Sequence, residues 1–170
     1  MLWLLHWNGQ APEHLKRGAQ ARGIDPGRLV WAPRARPIDH IARLQNADLL
    51  IDTWPCNAHT TASDALWAGV PVVTWTGQTF ASRVASSLLH DVGLPQLACH
   101  DIAGYRQRIL DLAHDDAQRR ALKDHLVAAR TSAPLFDSER RTRDLEALYE
   151  RMWARHAAGL PSLALPALSA

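Results

Sequence analysis

The segment NAHTTASDALWAGVPVVTW, Asn57 to Trp75, sets a histidine and two threonines where a helix begins. A helix N-terminus gathers unpaired backbone N–H groups and the positive end of the helix dipole, so it repels a protonated imidazole and attracts an anion. A nucleoside diphosphate requires N–H and O–H donors at its phosphate oxygens, a carboxylate for the ribose hydroxyls, and a flat or cationic surface for its base. His59, Thr60 and Thr61 suit the phosphates, and Asp64, one turn into the helix, can accept from the ribose. Cys56 and Asn57 lead into this loop. A second loop, after RLVWAP, carries Arg34, Arg36, Asp39, His40 and Arg43, of which His40 and Arg43 could pack against the base.

A plainer reading accounts for part of this pattern. Thr61-x-x-Asp64 is also a carboxylate variant of the capping box, in which both side chains satisfy orphan helix amides with no ligand at all. Taken alone, the motif favours capping, and His40 alone reads as a surface helix residue. Capping leaves His59 unexplained, because an imidazole contributes nothing to a cap and is disfavoured there when charged. Other chemistries have less behind them. None of the nine histidines is spaced as H-x-x-x-H or H-E-x-x-H, so no zinc site is expected. Cys56 has no readable base-and-orienter arrangement that would make it a nucleophile. Neither G-x-G-x-x-G nor a Walker A lysine occurs.

The elements that must position these loops alternate. Apolar runs at 2–7 (LWLLHW), 28–33 (RLVWAP), 47–54 (ADLLIDTW) and 71–75 (PVVTW) read as strands, and helical patterns at about 12–22, 38–45, 60–67 and 81–89 follow them. Gly69 closes the third helix. Continuous apolar strands each followed by a helix imply a parallel sheet covered on both faces, with ligands beyond the carboxyl ends of the strands. The opening MLWLLHW reads as a buried strand, and the tryptophans, Trp3, Trp31, Trp67 and Trp75 among them, as core. Residues 101–159 read as all helical, with Leu145, Leu148, Tyr149, Met152 and Trp153 along one face of the last helix. The predicted arrangement is one domain over 1–159 and a flexible proline-containing tail over 160–170.

Composition narrows the function further. A formal net charge of +2, from 19 basic and 17 acidic residues scattered along the chain, provides no basic stripe for nucleic acid. Two cysteines are too few for a disulfide framework, which points to a reducing compartment, the cytoplasm. No apolar run approaches the ~20 residues of a bilayer-spanning helix, so no membrane insertion is expected.

Three long, ordered motifs carry a resemblance: DLLIDTWPCNAHTTASDALWAGVPVVTW, GQTFASRVASSLLHDVGLPQL and SAPLFDSERRTRDLEALYERMW. They resemble the C-terminal catalytic half of the O-linked N-acetylglucosamine transferases, glycosyltransferase family 41, with similarity from LWLLHW to about Gly159. The resemblance implies an α/β, Rossmann-like, doubly wound parallel sheet, the C-terminal domain of a GT-B enzyme, followed by a helical segment. It also implies an inverting transfer of N-acetylglucosamine from UDP-GlcNAc to serine or threonine of a protein acceptor, with no metal or other cofactor. Carried over by position, diphosphate contacts fall on His59, Thr60 and Thr61, the ribose contact on Asp64, uracil contacts on His40 and Arg43, and Cys56 lies close to the sugar; Asn57 belongs to the same loop. No catalytic residue is assigned within the chain. Two departures stand out: Ala58 replaces the glycine usual before the histidine, and Pro37 stands where relatives often carry a lysine. The resemblance further implies that the facing Rossmann-like domain, a phosphate-binding lysine and acceptor-selecting tetratricopeptide repeats lie upstream of Met1. A fucosyl or glucosyl transferase of the same family, or a nucleotide-binding fragment dependent on a partner chain, is the competing expectation.

Overall fold

The computed structural model describes residues 1–6 and 8–165. The chain forms two compact units, one of residues Met1–Leu44 and one from Gln45 onward. The first is a strand–helix–strand unit: β1 (Leu2–Leu5), α1 (Ala11–Gln20), β2 (Leu29–Ala32), then α2 (Pro37–Leu44). β1 and β2 are parallel, with Leu2 opposite Leu29 and Leu5 opposite Ala32. The Asn8 side chain starts α1 by accepting from the amides of Gln10 and Ala11 at 3.1 and 2.8 Å, and Pro12 sits in the first turn, where a missing N–H costs nothing. Pro37 does the same for α2 as its first residue, so the departure from lysine is compatible with the helix it opens.

The second unit holds the larger core. Its three-stranded parallel sheet has the order β3 (Leu50–Ile51), β4 (Val72–Trp75), β5 (Ala98–Cys99). Between them run α3 (Thr60–Ala68) and α4 (Val84–Asp91), and after β5 come α5 (Ile102–His114), α6 (Asp116–Ala129) and α7 (Ser138–Ala157). β4 lies between its two neighbours, and Val72, Val73 and Thr74 are fully buried, the continuous apolar run that a strand covered on both faces requires. α3 presents Ala62, Ala65, Leu66 and Ala68 to the core, all 5% exposed or less. It closes on Gly69 at φ +84°, with Val70 N–H donating to Ala65 O at 2.8 Å. That left-handed closure is open to glycine at little cost. Asp101, Asp115 and Asp137 each accept from an amide three residues on (2.7–2.8 Å) and so start α5, α6 and α7.

Two expectations are corrected. The opening strand covers only Leu2–Leu5 and is not buried, since Leu2, Trp3 and Leu5 are all exposed; Trp7 lies outside the described residues. Nor do the tryptophans build the core: Trp3, Trp54, Trp67 and Trp153 are exposed, and Trp31 and Trp75 half-buried. Alanine, valine and leucine fill the interior instead. The all-helical reading of 101–159 resolves into α5–α7. Of the expected flexible tail, 160–165 form no helix or strand and 166–170 lie outside the described residues.

Candidate functional site

In the second unit β3 ends at Ile51, and nothing regular follows until α3 starts at Thr60. The intervening loop is anchored by one side chain that sequence reasoning did not single out. Asp52, 5% exposed, donates its backbone N–H to Val73 O at 3.0 Å, continuing the ladder. Its carboxylate then accepts from Thr53 N (2.8 Å), Ala58 N (2.6 Å) and Thr74 Oγ1 (2.6 Å). Its carbonyl accepts from the Tyr105 hydroxyl on α5. Burial, the Asp52 charge and the nearby Cys99 thiol together push the Tyr105 phenol up from 10 to about 12. Cys99, half-buried, is raised mainly by burial.

Inside that frame Thr53 Oγ1 donates to Cys56 O at 2.8 Å. Asn57, 4% exposed, donates through Nδ2 to Thr53 O (3.0 Å) and Trp75 O (3.4 Å), and through its backbone to Ala81 O (2.9 Å). Its Oδ1 is buried and accepts nothing among the described residues. Asn57 is thus a brace between the loops after β3 and β4. The loop after β3 also meets the end of β4 through a stacked pair, Trp54 on Trp75, with ring centroids 4.5 Å apart. Gly77 makes that approach possible, since a Cβ there would lie 2.7 Å from Ser82 Cβ and 3.3 Å from Trp54 Nε1. Ala58 requires no left-handed backbone, as no described residue other than glycine has positive φ, so the alanine in place of glycine is accommodated.

His59 is the N-cap of α3 and supplies no side-chain cap. Its carbonyl accepts from the amides of Ala62 and Ser63, both at 3.1 Å. The backbone N–H groups of Thr60 and Thr61 find no acceptor among the described residues. The threonine side chains are exposed, and Asp64 is half-buried one turn on. The capping box therefore does not form: neither Thr61 nor Asp64 bonds to the helix start. The His59 ring is loosely held, with Nε2 3.5 Å from Ala81 O and an edge-on contact to Phe80 at 6.0 Å. What results beyond β3 is two orphan amides and two exposed hydroxyls beside a half-buried imidazole, the donor set an oxyanion takes. Cys56 is an exposed free thiol in the same loop.

His40 and Arg43 lie in the first unit, on α2. Arg43 reaches Pro33 O at 2.6 Å, donates through Nε to His40 Nδ1 at 3.2 Å, and lies over the Trp3 ring at 5.7 Å. The pair is a preformed flat and cationic surface. Asp39 is tied to Arg36 at 2.7 Å. No group of three or more His, Cys, Asp or Glu side chains that could hold a metal occurs among the described residues, and no helix there is long and apolar enough to cross a membrane.

Comparison with known proteins identifies the family. The family model for glycosyl transferase family 41 matches residues 1–145. A UDP-N-acetylglucosamine–peptide N-acetylglucosaminyltransferase of Caenorhabditis elegans is 38% identical over 161 residues, 95% of this chain and 14% of that protein. A probable enzyme of the same name from Arabidopsis thaliana, SEC, is 36% identical over 93% of this chain and 16% of its own length. Among solved structures, a mutant O-GlcNAc transferase of Thermobaculum terrenum superimposes with a TM-score of 0.82 at 32% identity, covering 89% of this chain and 30% of that one. The chain thus spans about one-seventh of the length of these curated relatives.

Proposed function

The chain belongs to glycosyl transferase family 41, and from that premise we propose that its β3–α3 loop holds the diphosphate of UDP-N-acetylglucosamine and supplies the donor side of N-acetylglucosamine transfer to serine or threonine hydroxyls of proteins. The observation that carries this reading is the unpaired N–H pair of Thr60 and Thr61 beside His59, at the carboxyl end of a parallel strand. As the bond from the sugar to the diphosphate breaks, negative charge grows on the leaving oxygens. Donors already fixed around those oxygens stabilise that state more than the ground state. His59, Thr60 and Thr61 fill this role, Asp64 accepts from the ribose, and Cys56 borders the sugar, with Asn57 bracing the loop. His40 and Arg43 offer the uracil its flat and cationic surface.

The acceptor side is proposed to come from protein outside these 170 residues: a facing domain that completes the cleft and tetratricopeptide repeats that select the acceptor. Positioning of that kind contributes roughly 7–11 kcal/mol to barrier lowering, so the chain alone should bind donor without transferring sugar. Neither a metal nor nucleic acid takes part in this reading, and the cytoplasm, where protein hydroxyls and UDP-sugars meet, is its setting. The test is calorimetric titration with UDP and GDP alongside a radiolabelled transfer assay on a peptide pool. Binding of UDP in preference to GDP, with no transfer, is expected. Preference for GDP moves the donor to a guanosine nucleotide sugar, transfer by the chain alone overturns the donor-side assignment, and binding of neither nucleotide rejects the reading.

A further inference from the structure

We infer that Asp52 is the positioning residue of the donor loop: its buried carboxylate fixes where the start of α3 presents its amides to the nucleotide diphosphate. The inference rests on the function proposed above. Asp52 is the only residue in the loop fixed through backbone N–H, backbone carbonyl and both carboxylate oxygens. One oxygen, Oδ1, accepts from Thr53 N and from Ala58 N, six residues on and immediately before His59. The other, Oδ2, is held by Thr74 Oγ1 in the middle strand. Oδ1 therefore ties the two ends of the 53–58 turn to each other, beside a strand to which the Asp52 backbone N–H is bonded independently, and the direction in which Thr60 and Thr61 point their N–H groups follows from that clamp. No Lys or Arg ion-pairs with Asp52 among the described residues; neutral donors satisfy both of its carboxylate oxygens. Charge-assisted bonds to a carboxylate are roughly twice as strong as neutral ones, which is what a six-residue irregular turn needs to hold one conformation.

Three variants of the chain separate positioning from plain stability: Asp52→Asn, Asp52→Ala and Thr74→Val, each measured for UDP affinity by calorimetry, for melting temperature, and for amide hydrogen exchange at Ala58. Asp52→Asn keeps an Oδ1 acceptor, and the Thr74 hydroxyl can turn to accept from the new amide, so the fold is retained while the clamp weakens. UDP affinity should fall about three- to tenfold and Ala58 exchange should quicken. Asp52→Ala, where it folds, should lose more than about tenfold. Thr74→Val removes only the strand-side bond and should lower the melting temperature while leaving UDP affinity within about twofold. Equal losses of affinity in Thr74→Val and Asp52→Asn at matched stability would reduce Asp52 to a structural residue and overturn the inference. So would unchanged affinity in Asp52→Asn, whether or not Ala58 exchange quickens. If the unsubstituted chain binds no UDP, the proposed function itself fails and this inference with it; binding by that chain with an indifferent Asp52 sinks the inference alone.

Discussion

Replacing His59 with alanine isolates the ligand contribution of the loop, because this side chain does little for the fold. Its only polar contact among the described residues is at 3.5 Å, the outer edge of a hydrogen bond, and its ring contact is with Phe80, itself 76% exposed. An aromatic pair contributes about 0.5–1.5 kcal/mol when well packed, and this one is open to water, so the stability loss should stay below about 1 kcal/mol. No cap is lost, since the imidazole makes none. A charge-assisted contact to a phosphate is worth about 1.5–3 kcal/mol, so UDP affinity should fall roughly 10- to 150-fold. Thr61→Ala should follow the same pattern, its hydroxyl being exposed and capping nothing. Calorimetric titration with UDP and thermal unfolding of the same preparations provide both quantities. If either variant melts several degrees lower while binding UDP as before, the residue serves the helix start and not a ligand.

Gly69→Ala should destabilise the chain by about 1–2 kcal/mol, because the residue sits at φ +84° and a Cβ would meet Val127 Cγ2 at 3.3 Å; denaturant midpoints measure it. Tyr105, with its phenol raised from 10 to about 12 in the fold, contributes stability that is fully present below pH ~10 and is lost as pH rises through 12, since the unfolded chain releases the proton first. Urea titrations between pH 9 and 12 should show that loss in the unsubstituted chain and a flatter profile in Tyr105→Phe. On α7, Leu145, Tyr149, Met152 and Trp153 are all exposed on one stripe, an apolar surface of the kind that drives association. Sedimentation should show weight-average mass rising with concentration, and Trp153→Asp should suppress the rise without lowering the melting temperature.

The helices and the middle strand could be read from the sequence because their signals are local. Gly69 ended α3 where a left-handed residue is needed, PVVTW read as a strand, and the position of His59 at a helix start identified the loop. Asp52 escaped notice because the partners of its carboxylate lie one, six and twenty-two residues away, and periodicity carries no trace of them; its one signal was a charge inside the apolar run LLIDTW. The tryptophans misled for a related reason. Hydropathy ranks an indole as core material, yet the exposed Trp54 finds its partner in the half-buried Trp75 at the end of β4, outside the interior. The capping box failed because the N-cap of α3 is His59, two residues before the Thr61 that would have to act as cap, a shift that no motif spacing discloses.

The alanines of α3 have a consequence for how tolerance to substitution would be distributed along this chain. The side chains of Ala62, Ala65 and Ala68 supply no candidate ligand group, yet their single methyl groups are buried in the core beneath the helix. An added methyl group or two, as in Ala65→Val, must either strain the core or push the helix outward, and displacement at that face carries the Thr60 and Thr61 amides with it. A library selected for nucleotide binding would then return these three buried positions as strictly as the loop itself. Their intolerance would mimic contact with the ligand while reporting only helix height.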